Sequence, residues 1–259
     1  MSVTVSQSFK VSIRTLTNGN ELFIIDIDQI DANLKSCIDA KFVKICEGNS
    51  GSNLSLVKTR LISFLTPKKG SNIEVGAIAE FFIHLYLNET GFEPQFLYLN
   101  LEEGSIKKGF DGYYLFNGEE WILESKSGSI TTTGINHPGK IKEAYEDLKD
   151  KLSGGGTNNP WRNAYNHASQ IDVGASPNVR INIKNFSDRY DQLSYESIDN
   201  FNIIPGSTIF LDGTWAAADQ NALETAINTL IVKLNYKRIK ILCVTKKSLQ
   251  LFWDYLSLP

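Results

Sequence analysis

Residues 110–126, FDGYYLFNGEEWILESK, decide how the rest of the chain is read. Two apolar, aromatic-rich runs flank Asn117-Gly118, a strong signal for a two-residue hairpin turn. The spacing predicts strands over 110–116 and 120–126. Side chains alternate faces along a strand, so Ile122, Glu124 and Lys126 share one face and Trp121, Leu123 and Ser125 the other. Asp111 opens the first strand. Pairing about the turn brings it to the same end of the sheet as Glu124 and Lys126. Gly109 and Gly112 bracket Phe110-Asp111. Glycine at such points admits the close approach of another backbone or a substrate, or marks a bulge, and bulges are common beside active sites.

Upstream, Ser71 followed by Glu74 matches a capping box, and a helix is expected over 73–88. Its stretch AIAEFFIHLYL (77–87) is apolar nearly all round, which predicts burial. Glu80 sits in the middle of that stretch. A buried carboxylate needs a cation, a hydrogen-bond set or a metal. His84, one turn on, offers a buried Glu–His pair as the alternative to a metal site. QFLYLNL (95–101) reads as a strand between this helix and the hairpin.

Downstream, a helix is expected near 138–152, a flexible break at Gly154-Gly155-Gly156, a helix from Trp161 to about Ile171, and a strand over 179–184. STIFLDG (207–213), a helix over 216–234 and RIKILCVT (238–245) form a strand–helix–strand unit, which favours parallel pairing. A last helix covers 247–256. At the other end, strands over 8–15 and 21–26 flank Asn18-Gly19, and helices follow over 28–47 and 54–65. Thr66-Pro67-Lys68-Lys69-Gly70 then breaks the chain. These elements give an α/β protein with a mixed central sheet flanked by helices. Residues 1–70 form an N-terminal accessory layer of hairpin and helices, and 71–259 form the core with the C-terminal strand–helix–strand unit.

Composition narrows the function. No apolar run reaches the length of a membrane span, and the first residues lack a secretion pattern. The three cysteines, Cys37, Cys46 and Cys243, lack zinc-ligand spacing and read as reduced thiols of a cytoplasmic protein. With 26 basic and 29 acidic residues, the formal charge of −3 lacks the basic excess of a stand-alone DNA binder. It suggests that a partner delivers the substrate. Local basic clusters, Lys107-Lys108 among them, are more often solvated faces than phosphate tracks.

Asp111, Glu124, Lys126 and Glu80 match the needs of phosphodiester hydrolysis. Carboxylates hold Mg²⁺ through oxygen ligands. The ion lowers the pKa of its water and offsets developing charge. A lysine beside that water orients it or neutralises the transition state. The bland alternative is a surface salt bridge between Glu124 and Lys126. Three observations favour chemistry: E-x-K ends an apolar strand, Asp opens the strand before it, and a buried helix with one unexplained Glu precedes both.

This order of helix Glu, strand, strand-opening Asp and strand with E-x-K resembles the PD-(D/E)XK nuclease superfamily, whose fold is restriction-endonuclease-like. The resemblance covers residues 73–126. It implies Asp111, Glu124 and Glu80 as metal ligands, with Mg²⁺ as cofactor and Mn²⁺ as substitute, and Lys126 as the catalytic lysine. Gln170 takes the place of a glutamine that some members carry on a later helix, and Lys108 is a candidate substrate contact. The family's nominal proline is absent, since Asp111 follows Phe110. More narrowly, KKGFDGYYLF and WILESKSG, after the EFFIHLYL helix, resemble the nuclease subunits (HamA type) of the Hachiman anti-phage defence system. That resemblance implies DNA as substrate and a helicase-type ATPase partner that controls cleavage.

Other candidates have plainer readings. His137, before Pro138-Gly139, reads as a loop residue and His167 as structural. Trp161 with Arg162 suits base stacking or core packing. No phosphate-binding G-x-x-x-x-G-K-[ST] is present. The competing functions are a catalytically silent interaction or regulatory subunit of the same fold, and an unrelated hydrolase sharing an α/β sheet.

Overall fold

The computed structural model describes residues 6–98, 109–156 and 158–258. The hairpin at the N-terminus is β1 (Lys10–Thr15) and β2 (Glu21–Ile27). Asn18 and Gly19 in its turn take φ of 61° and 73°. The helices α1 (Ala32–Glu47), α2 (Leu54–Leu65) and α3 (Asn72–Glu89) follow. Next come the short β3 (Glu93–Pro94), β4 (Gly112–Phe116) and β5 (Glu119–Ser129). Three helices, α4 (His137–Leu152), α5 (Pro160–Ala168) and α6 (Pro177–Asp191), precede β6 (Asn202–Phe210). The chain closes with α7 (Gln220–Ile231), β7 (Arg238–Lys246) and α8 (Gln250–Leu256).

The strands form one seven-stranded sheet in the order β1-β2-β7-β6-β5-β4-β3. Its four central strands, β2, β7, β6 and β5, run parallel, and antiparallel pairs close both edges. The expected strand–helix–strand unit is β6–α7–β7, with its two strands paired in parallel. The hairpin of residues 10–27 continues the same sheet, because β2 pairs with β7 from Glu21↔Lys240 to Ile27↔Lys246.

Two apolar clusters lie on the two sides of the sheet. Trp121, Leu123, Ile204, Leu242 and Phe23 meet residues of α1, α2, α3 and α8. Tyr113, Ile122, Ile203, Ile241 and Leu22 meet residues of α4 to α7. Helix α3 is buried continuously from Ala77 to Leu87, as its all-round apolar surface requires. Its first turn is capped by Ser71, whose Oγ accepts the Glu74 N–H at 3.4 Å. Glu74 reaches back to the N–H of Gly70 at 2.6 Å and also accepts the Trp253 indole N–H at 2.6 Å. Among the described residues no helix is long and apolar enough to cross a membrane.

Three expectations are corrected. Residues 179–184 belong to α6 and are not a strand. Val179, Ile181 and Ile183 alternate in the manner of a strand, but Pro177 fits the first turn of a helix. Helical spacing then buries Val179, Ile183, Ser187 and Tyr190 and leaves Ile181 58% exposed. Residues 95–98 are irregular, and 99–101 lie outside the described residues. Phe96 joins the core on one side of the sheet and Tyr98 the core on the other, so the segment wraps the sheet edge. His137 opens α4 instead of lying in a loop. Its buried ring meets Ser207 Oγ at 2.8 Å and Thr245 Oγ1 at 3.2 Å, which ties the start of α4 to β6 and β7.

Candidate active site

The β4–β5 hairpin turns through Asn117 and Gly118, with φ of 52° and 75°, and Phe116 pairs with Glu119. This register fixes the alternation on β5. Ile122 packs on the α4 side and Trp121 and Leu123 on the α3 side. Glu124 follows Ile122 on the α4 side. It is 1% exposed at the sheet's centre, where β5 meets β6.

Asp111 stands just before β4. Its Oδ2 accepts the Ser125 backbone N–H at 2.7 Å and the Ser125 hydroxyl at 2.9 Å. The two bracketing glycines make room for this. Gly109 has φ of +83°, and a Cβ there would lie 2.1 Å from the Pro160 carbonyl oxygen. A Cβ on Gly112 would press on the Tyr114 ring at 2.7 Å and on His84 at 3.2 Å. Gly109 therefore carries the close backbone approach expected of it, whereas Gly112 is crowded by side chains.

Two side chains from α4 complete the cluster. Lys151 Nζ donates to Glu124 Oε2 at 2.6 Å, and Lys126 Nζ donates to Glu124 Oε1 at 3.0 Å. Asp147 accepts from Lys126 and lies 3.5 Å from Lys151. Neither Asp147 nor Lys151 was singled out from the sequence. The signal available was that both lie on or beside the apolar stripe of α4 formed by Ile141, Ala144, Leu148 and Leu152. Periodicity alone could not show that this stripe covers β5.

Electrostatics bind the group together. Burial, followed by the charge of Asp111, pushes the Glu124 carboxyl well above the usual range, against the pull of Lys151 and Lys126. Burial works to lower Lys126, but Glu124, Asp147 and Asp111 outweigh it and hold the ammonium charged. Burial likewise opposes ionisation of Asp147, yet its hydrogen bonds with Glu124 and Lys126 and the charges of both lysines bring it down to about 2. Glu124 is enclosed, whereas Lys126, Lys151 and Asp147 reach solvent in part.

Glu80 comes from α3, where it is buried. Its charge acts on Tyr98 and Tyr114, and that of Asp111 also acts on Tyr114. His84 Nδ1 shares a hydrogen bond with the Tyr114 hydroxyl. The structure thus brings Asp111, Glu124 and Lys126 into one cluster, and the charge of Glu80 meets that of Asp111 at Tyr114. Gln170 lies past the end of α5, at a 3-10 turn whose Asp172 carbonyl accepts the Asn49 N–H at 2.8 Å. Lys107 and Lys108 lie outside the described residues. Trp161 is a core residue, fully buried and stacked on Phe186 at 4.4 Å, and His167 is buried beside Phe96.

The donor set suits a hard divalent cation. Among the described residues the carboxyls of Asp111, Glu124 and Asp147 lie beside the ammonium groups of Lys126 and Lys151. As the side chains stand, no three His, Cys, Asp or Glu groups among the described residues are arranged to hold a metal ion. At Glu124 each of the two oxygens accepts from a lysine.

The family model described as HamA matches residues 10–254, nearly the whole chain. No curated protein matches it.

Proposed function

The chain belongs to the HamA family, a family of the Hachiman defence system, and from this we propose that it is a metal-dependent DNA nuclease of the PD-(D/E)XK type. The observation that carries this reading is the meeting of Asp111, Glu124 and Lys126 at the paired strands β4 and β5, with Glu124 buried between two ammonium groups. Asp111 and Glu124 would hold Mg²⁺, or Mn²⁺ in its place. When bound, the ion supplies charge compensation at the phosphate and a more acidic water.

The chain's own residues do the rest. Lys126 presents a charged ammonium beside the carboxylates, where a scissile phosphate accumulates negative charge. Asp147 holds that ammonium charged and in place. Ser125 fixes the Asp111 carboxylate through two hydrogen bonds, so one of its oxygens is set before any ligand arrives. Glu80, the helix carboxylate, would complete the metal set, its charge acting on Tyr114 as that of Asp111 does. The formal charge of −3, without a basic excess, supports delivery of the DNA by a partner, and the family implies a helicase-type ATPase in that role.

The test is cleavage of plasmid DNA with Mg²⁺, by the chain alone and with its partner and ATP, beside the Glu124→Ala/Lys126→Ala double variant. Cleavage by the native chain, lost in the variant and on chelation, is the expected result. A second reading, a catalytically silent subunit, is favoured by the double capping of Glu124. It gains ground if no condition yields Mg²⁺-dependent cleavage.

A further inference from the structure

Lys151 is not part of the D…E-x-K pattern, yet it makes the shorter of the two lysine contacts with Glu124, 2.6 Å against 3.0 Å. We propose that Lys151 is an internal stand-in for the metal, an ammonium that occupies Glu124 Oε2 until a divalent cation displaces it. The inference rests on the metal-dependent reading above and adds to it the control of metal entry.

Three features argue for displacement over co-occupancy. The first is distance. An oxygen ligand lies about 2.1 Å from Mg²⁺. An ion on Oε2 would sit within a few ångströms of an ammonium that keeps its present place, and repulsion at such range is strong in a half-buried site. The second is local charge. Among the described residues two ammonium groups already bear on the Glu124 carboxyl, and an ion added with Lys151 in place would set a third cation against it, whereas withdrawal of Lys151 leaves room for one.

The third is an alternative seat. Lys151 already stands 3.5 Å from Asp147, one helical turn back on α4, and Asp147 reaches solvent. A short swing along the helix surface moves the ammonium from Glu124 towards Asp147 without stripping it of a carboxylate. Lys126 shares Asp147 and remains beside the reacting phosphate. Lys151 is thus a positioning residue. It keeps Glu124 satisfied in the metal-free protein and yields one oxygen on demand.

The experiment is calorimetric titration of the full-length chain with Mn²⁺ and with Mg²⁺, without DNA. The variants are Lys151→Met, Lys151→Arg and Glu124→Gln, each checked for folding by circular dichroism. Lys151→Met keeps the aliphatic stem and removes the charge. It is expected to bind either ion on the order of tenfold more tightly, the scale of coupling between two ligands of one site. Lys151→Arg restores a cation and should return affinity towards the native value, and Glu124→Gln should weaken binding. Should Lys151→Met prove too unstable to titrate, Lys151→Gln serves the same comparison. Binding that is unchanged or weaker in the neutral variants overturns the displacement role alone and leaves the nuclease reading intact. Absence of binding by native and variant chains alike overturns both.

Discussion

Lys246 ends β7 in the interior, fully buried, its ammonium 4.6 Å from the centre of the Phe82 ring and without a hydrogen bond among the described residues. Burial lowers its pKa to about 7, with Asp254 pulling weakly the other way. The sign of the consequence follows from linkage. Between pH 7 and about 10.5 the unfolded chain binds this proton and the folded chain does not. Stability therefore rises with pH through that window, and below pH 7 the full cost of a buried cation is felt. Lys246→Met should raise stability at pH 7 by on the order of a few kcal/mol and flatten the rise above it. Urea unfolding at pH 6, 7, 8 and 9 checks both, and a variant less stable than native at pH 6 would refute the assignment. For Lys126 and Asp147 the balance is reversed, because each has opposite charges beside it that outweigh burial.

At the scale of elements, the site depends on backbone segments packed closer than side chains permit. Gly109 is the tightest of these, pressed against the first residue of α5 with a left-handed φ. Gly109→Ala should cost about 1–2 kcal/mol from the backbone conformation alone, and more from the Pro160 carbonyl, which cannot turn aside as a flexible side chain would. The expected outcome is a lower unfolding midpoint together with lost cleavage, because the same segment carries Asp111. A variant of native stability and activity would show that the segment re-forms elsewhere. This dependence also explains what the sequence could reveal. The hairpin and the faces of Ile122, Glu124 and Lys126 follow from local rules, a period of two and an Asn-Gly turn, and so they were legible, whereas the register came from the structure. Helix α6 was not, because Val179, Ile181 and Ile183 satisfy the strand period while burial follows the helical one. Asp147 and Lys151 were hidden for a different reason. Their role depends on which helix lies across β5, a long-range fact that no local pattern holds.

For the whole molecule, the sheet order sets what must be present for the site to exist. Strand β5 is paired by β4 on one edge and by β6 on the other, and β6 is in turn paired by β7, which pairs β2. Helix α8 closes the α3 side through Phe252, which packs on Phe81 and Phe82. A chain ended after residue 234 would lack β7 and α8 and leave β2 and β6 with open edges. It should fail to show a cooperative thermal transition by circular dichroism, whereas the full chain should melt in one step. A truncated chain that melts cooperatively would mean that residues 1–234 fold as a unit.

The same ordering has a meaning in time. On the ribosome, Asp111, Glu124 and Lys126 emerge more than a hundred residues before the strand that locks the sheet, and α4 emerges ahead of the β6 and β7 surfaces that seat His137. Long-range parallel pairing of this kind forms late. The cluster around Glu124 is therefore assembled only after β7 has been made, so a nascent chain that stops short of residue 238 carries its residues without their arrangement.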